Sequence, residues 1–201
     1  MKKLPLALST GVLSLALVLT GCTDASAPTG GDTAPSASSS TTTANEADKM
    51  FVTMMIPHHQ QAIEMSDIVL AKDGLDPRVT DLAQQIKDAQ GPEIERMLGW
   101  LEDWGVEYEP DAAGGMDHGS MHGSGDGMMS EEDMTALDEA DAADAGRLFL
   151  EQMIMHHEGA VDMAQTALKD AQNQDVLDLA QQVIDDQTAE ITTMQELLTQ
   201  L

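Results

Sequence analysis

The sequence predicts an all-α protein, a four-helix bundle made of two repeated helical hairpins. Three observations lead there. Apolar residues recur at helical spacing through long stretches of residues 46–201. Aromatic residues are scarce: Phe51, Phe149, Trp100, Trp104 and Tyr108 are the whole set. The core must therefore be built from Met, Leu, Ile, Val and Ala, which suits packed helices. The chain also repeats itself, because 50–65 read MFVTMMIPHHQQAIEM and 148–163 read LFLEQMIMHHEGAVDM. With His58 set on His156, Phe, Met-Ile, His-His, Ala and the final Met coincide. Further on, Leu82-Ala83-Gln84-Gln85 matches Leu179-Ala180-Gln181-Gln182, and Asp88, Gln90, Glu93, Ile94 and Met97 match Asp185, Gln187, Glu190, Ile191 and Met194. A duplicated unit of two helices explains this register.

Residues 1–21 have the layout of a secretory leader, with Lys2 and Lys3 ahead of an apolar run from Leu4 to Leu19. Its close, Leu19-Thr20-Gly21-Cys22, resembles a bacterial lipobox, in which the cysteine is lipidated and becomes the first mature residue. Cys22 is the only cysteine, so no disulfide forms within the chain and no thiolate cluster serves a metal. Residues 22–45 are mostly Ser, Thr, Ala, Pro and Gly with almost no large apolar side chain, a composition expected of a flexible tether. One domain, 46–201, follows. The expected location is outside the cell membrane, anchored by lipid on Cys22.

The first long helix is expected over about 46–72, stopped by Asp73-Gly74. Asp76-Pro77 caps and opens the second, which runs to about 104 before Gly105. Ser130-Glu131-Glu132-Asp133 is a capping box for a short helix. Two further long helices are expected over about 141–170 and 175–200. Pro57 and Gly91-Pro92 fall inside helical patterns and are expected to kink or locally break them; Met155 and Ala189 hold the equivalent places in the second half.

Charge excludes one class of partner. With 36 acidic and 9 basic residues the chain stands at −27, and loss of Lys2 and Lys3 with the leader brings it to −29. Nucleic acid and anionic membrane surfaces repel such a protein, whereas cations are drawn to it.

All six histidines fall in three clusters rich in methionine. On the first helix Phe51, Met55, His58, Ala62 and Met65 form one stripe at about 100° per residue; Phe149, Met153, His156, Ala160 and Met163 form its copy on the third. His58 and His156 are therefore expected on the core face, with His59 and His157 a quarter turn away at its edge. Met54 adds a thioether in the first half only. Glu93 and Glu190 lie on the inner stripes of their helices, as partners fixing the histidine tautomers or as direct ligands; both readings stand. Methionine inside a bundle is ordinarily filler, and Met97 and Met194 read equally as filler or as ligands. The third cluster, Met116, His118, Met121 and His122, lies in a glycine-rich loop, 114–129, where burial does not account for methionine. Flexible Met/His tracts of this kind resemble those of periplasmic copper-handling proteins. Imidazole with thioether suits copper, Cu(I) above all, and silver fits the same soft donors.

The pattern Met-Ile-x-His-His-x-x-Ala-x-x-Met, present twice, resembles the domain-of-unknown-function 305 family over about residues 46–201. That resemblance implies a ferritin-like helical bundle in exported bacterial proteins, some of which bind copper and contribute to copper resistance. It also implies that His58, His59, His156 and His157, with Met55, Met65, Met153 and Met163, are metal-associated. The expected function is an extracytoplasmic, lipid-anchored copper-binding protein that sequesters or passes the ion and is not an enzyme. A ferritin-like metal-dependent oxidoreductase is the alternative, weakened because the chain has no Glu-x-x-His. A bundle with a purely structural or interaction role, its histidines acting as pH-sensitive core groups, is the third reading. Protein partner and oligomeric state stay open.

Overall fold

Each helix begins where a side chain can cap it. In the structure, a computed structural model that describes residues 43–109 and 127–201, α1 spans Glu46–Leu70 behind Asn45, which forms a capping box with Asp48. Helix α2, Pro77–Asp103, starts with Asp76 as cap and proline in its first turn. Ser130 and Asp133 form the expected capping box of the short α3, Glu131–Glu139. Asp141 caps α4, Ala142–Asp170, and Asn173 caps α5, Gln174–Leu198. Caps of this kind are worth about 1 kcal/mol each, so they fix where helices start more than they hold the fold together. The leader, Cys22, the tether and the loop cluster Met116, His118, Met121 and His122 lie outside the described residues.

Neither proline breaks its helix. Pro57 and Pro92 sit inside α1 and α2, which run unbroken through both. A proline removes one backbone bond and crowds the preceding turn; the packing of the flanking turns against the rest of the bundle holds the helix across that loss.

Helices α1 and α2 pair as one antiparallel hairpin, α4 and α5 as the other, and α1 against α4 forms the seam between them. The buried apolar residues divide into two clusters at opposite ends of this bundle. One gathers Met65 and Val69 of α1, Leu82 and Ile86 of α2, Phe149 and Met153 of α4, and Met194 of α5. The other gathers Phe51 and Met55, Met97 and Leu101, Ala160 and Ala164, and Leu179 and Val183. Each cluster draws on all four long helices, and the histidine pairs fall between the two.

Helix α3 caps one end. Its Leu137 is fully buried in the first cluster. Gln152 Nε2 donates to the Asp133 carbonyl, and Lys72 Nζ donates to the carbonyls of Asp138 and Ala140. Ahead of α3, Met129 exchanges two hydrogen bonds with the side chain of Gln61, at 2.7 and 2.8 Å. Gly127 has φ +74°, and a Cβ there would lie 2.5 Å from the Met155 carbonyl oxygen and 2.9 Å from that of His156. The strand of chain entering α3 is thus pressed onto α4 beside a histidine pair, and only glycine fits.

Candidate metal centre

The layer between the two apolar clusters is polar, and the repeat builds it twice. His58 and His156 meet across the α1–α4 seam, with ring centroids 3.7 Å apart and planes tilted by 40°. His59 Nε2 lies 2.8 Å from Glu93 Oε2 on α2, and His157 Nε2 lies 2.6 Å from Glu190 Oε2 on α5. All four histidines are buried. For His58 and His156 this matches the stripe expected of them. His59 and His157 were expected at the edge of the face and are instead fully enclosed. A bundle helix faces two neighbours, so its buried arc is wider than a single stripe, and α2 and α5 cover the second pair.

The carboxylates set the protonation of the rings. A carboxylate oxygen accepts, so in a neutral imidazole Nε2 of His59 and of His157 carries the proton and Nδ1 keeps its lone pair. Among the described residues those Nδ1 atoms are buried without a hydrogen-bond partner, and both ring nitrogens of His156 are buried as well, beside the His58 backbone. A buried polar group left unpaired costs about 1–3 kcal/mol, so a layer with several of them is poor as a structural device and suited to receive a ligand. The pKa of His156 is held well below the usual histidine value, first by burial and then by His58, His157 and His59 around it. This ring stays neutral, the state in which imidazole binds metal.

Around this layer the two halves differ. Glu93 is also bound by Gln182 Nε2 of the opposite hairpin at 2.9 Å, with Arg96 at 3.7 Å. Among the described residues Glu190 has His157 alone, and its side chain is 21% exposed against 10% for Glu93. Both carboxylates line a narrow cleft between α2 and α5, together with Gln90, Gln187 and Asp186. Gln90 and Gln187 are buried in the layer and occupy matching places in the repeat, yet they had not stood out as site residues; burial of a polar residue at both copies of one register position is the signal that finds them.

The thioethers flank the layer. Met65, Met153 and Met194 are buried on one side of it, and Met55 and Met97 on the other. Met163, the repeat partner of Met65, is only partly buried against the second cluster, and Met54 is 45% exposed on the outside of α1. The structure thus brings together the four histidines and both glutamates, places five methionines above and below them, and leaves Met54 and Met163 elsewhere. Among the described residues no three His, Asp or Glu side chains converge on a common point. Among the described residues the imidazole and carboxylate donors come as pairs, with thioethers beside them as further donors.

Residues 48–198 match the family model of the Domain of unknown function (DUF305). A DUF305 fragment from Deinococcus radiodurans superposes with a TM-score of 0.67 at 31% identity, covering 79% of this chain and 99% of that one. A DUF305 protein from Streptomyces coelicolor, provisionally described as secreted, gives 0.67 at 32% identity over 77% and 93%. CopM in its Cu(I)-bound form gives 0.61 at 29% identity over 76% and 96%, and Cu(II)-bound, Ag-bound and apo forms of CopM match as well. A comparison with curated proteins found no match.

Proposed function

The chain belongs to the DUF305 family, and on that premise we propose that it is a copper-binding protein that holds or passes Cu(I), and Ag(I) by the same donor chemistry, without catalysing a reaction. One observation carries the reading: a buried layer of four histidines in which carboxylates engage Nε2 of His59 and His157 while their Nδ1 atoms have no partner among the described residues. Metal-bound histidines are commonly held in this way, with one ring nitrogen fixed by a carboxylate and the other free for the ion. His59, His156 and His157 would supply imidazole, with the ring of His58 against that of His156; Met55, Met97, Met153 and Met194 stand ready as soft donors from either side. Glu93 and Glu190 act here as positioning residues, and the acidic cleft they line gives a cation a way in. The bound forms of CopM support copper and silver as the cargo.

Titration with Cu(I) against a competing chelator tests this. Replacing His59 and His157 with alanine is expected to weaken binding at least tenfold, with helicity monitored to show that the fold persists. Unchanged affinity in a folded variant removes the buried layer from the account, and retention of binding by the 114–129 loop alone moves the site there.

Export and lipid anchoring extend this reading. The leader pattern and the cysteine of Leu19-Thr20-Gly21-Cys22 support them, and a C22S variant is expected in the soluble exported fraction. Continued membrane association of that variant contradicts the anchor.

A further inference from the structure

The two methionines that do not join the histidine layer meet each other elsewhere. Met54 and Met163 line one groove with Met50, where the start of α1 runs beside the end of α4, over a floor that includes Phe51 and a rim that includes Asp162 and Asp170. Met50 is 63% exposed and Met54 45%. They stand one helical turn apart on one face of α1, and Met163 faces them from α4.

The repeat gives this groove a control. The counterparts of Met50 and Met54 are Leu148 and Gln152, and that of Met163 is the fully buried Met65. At that equivalent place the bundle is covered by α3: Leu148 and Met65 belong to the cluster that buries Leu137, and Gln152 is tied to Asp133. One of two equivalent grooves is thus closed by a helix, and the other is open and carries three thioethers. Packing does not account for exposed methionine there, since Leu148 shows that leucine serves the shared register.

We propose that Met50, Met54 and Met163 form a second, solvent-facing site for a soft monovalent cation, Cu(I) or Ag(I). Thioether is an uncharged, polarisable donor that favours such ions over the hard cations Mg²⁺ and Ca²⁺. Asp162 and Asp170 beside it attract the cation and offset its charge. Met54 is also one turn before His58, so an ion held in the groove sits close to the buried layer. The site stands on its own residues and does not require that layer to bind.

The test is Ag(I) titration of the full chain labelled at methionine methyls and histidine ring nitrogens, followed by NMR with bound silver counted by native mass spectrometry. The methyl signals of Met50, Met54 and Met163 are expected to move together, and an M50L/M54L/M163L variant to lose one bound Ag(I) per chain. Leucine at exposed Met50 and Met54 and at half-buried Met163 keeps an apolar side chain of similar size and preserves the helix, and the unchanged ring-nitrogen spectrum of the silver-free variant checks this. Methyls that stay still at saturation, or a triple variant that binds as many Ag(I) as the parent, overturn the proposal. Methyls that move while the rings of His59, His156 and His157 do not support the groove and remove the buried layer instead.

Discussion

The two hairpins of this bundle carry the same histidine pair and finish its surroundings differently. In the first, Glu93 is buried and holds His59, Gln182 and Arg96 together. In the second, Glu190 is half-buried and holds His157. The second hairpin instead has the chain at Gly127 pressed against its histidine turn and α3 covering its outer groove, while the groove of the first is open. What is common to both halves is the imidazole–carboxylate pair, so that pair is the duplicated design. What differs is access: one carboxylate and one groove are left to solvent.

The largest separation of the halves is expected from truncating the carboxylates. E93A strands buried His59 Nε2–H and removes the acceptor of Gln182, and is expected to destabilise the metal-free protein by about 3 kcal/mol; E190A, at a wetter position, by about 1 kcal/mol. Urea unfolding of both variants measures the gap, and equal losses erase the asymmetry. Next comes G127A, which forces a positive φ on alanine and a Cβ into the Met155 carbonyl. A loss of about 2 kcal/mol is expected, with increased hydrogen exchange at Met129; a neutral substitution means the strand is not pressed onto α4.

A pH effect follows from His156. Its folded pKa lies well below the 6.5 of the unfolded chain, so below pH 6.5 the unfolded state binds the extra proton and stability falls. The slope approaches about 1.4 kcal/mol per pH unit for one proton and ends at the folded pKa. Urea midpoints of metal-free protein between pH 7 and pH 5 report it, and H156N is expected to flatten the curve. The smallest effect belongs to R96T, which gives α2 the residue that α5 carries at Thr193. Arg96 is exposed and lies 3.7 Å from Glu93, a contact worth under about 1 kcal/mol, so R96T alone is expected to leave the urea midpoint nearly unchanged.

Much of this was legible in the chain. The doubled Met-Ile-x-His-His pattern placed His58 and His156 inside, and Asp76-Pro77 and Ser130–Asp133 marked helix starts that the structure keeps. Glu93 and Glu190 were legible as inner carboxylates because both register positions lie on apolar stripes. The destination of Met54 and Met163 was not, since a single-helix stripe does not say which part of it a further helix will cover. The enclosure of His59 and His157 depends in the same way on a second neighbour, and Gly127 is set apart from other loop glycines only by the α4 backbone it meets.

The claim that the buried layer is the metal site is tested most directly by the ring nitrogens themselves. One equivalent of Cu(I), added without oxygen to the ¹⁵N-histidine-labelled protein, is expected to move Nδ1 of His59 and His157 and leave their Nε2 bonded to Glu93 and Glu190. Shifts confined to His118 and His122, with the four bundle histidines unmoved, contradict it.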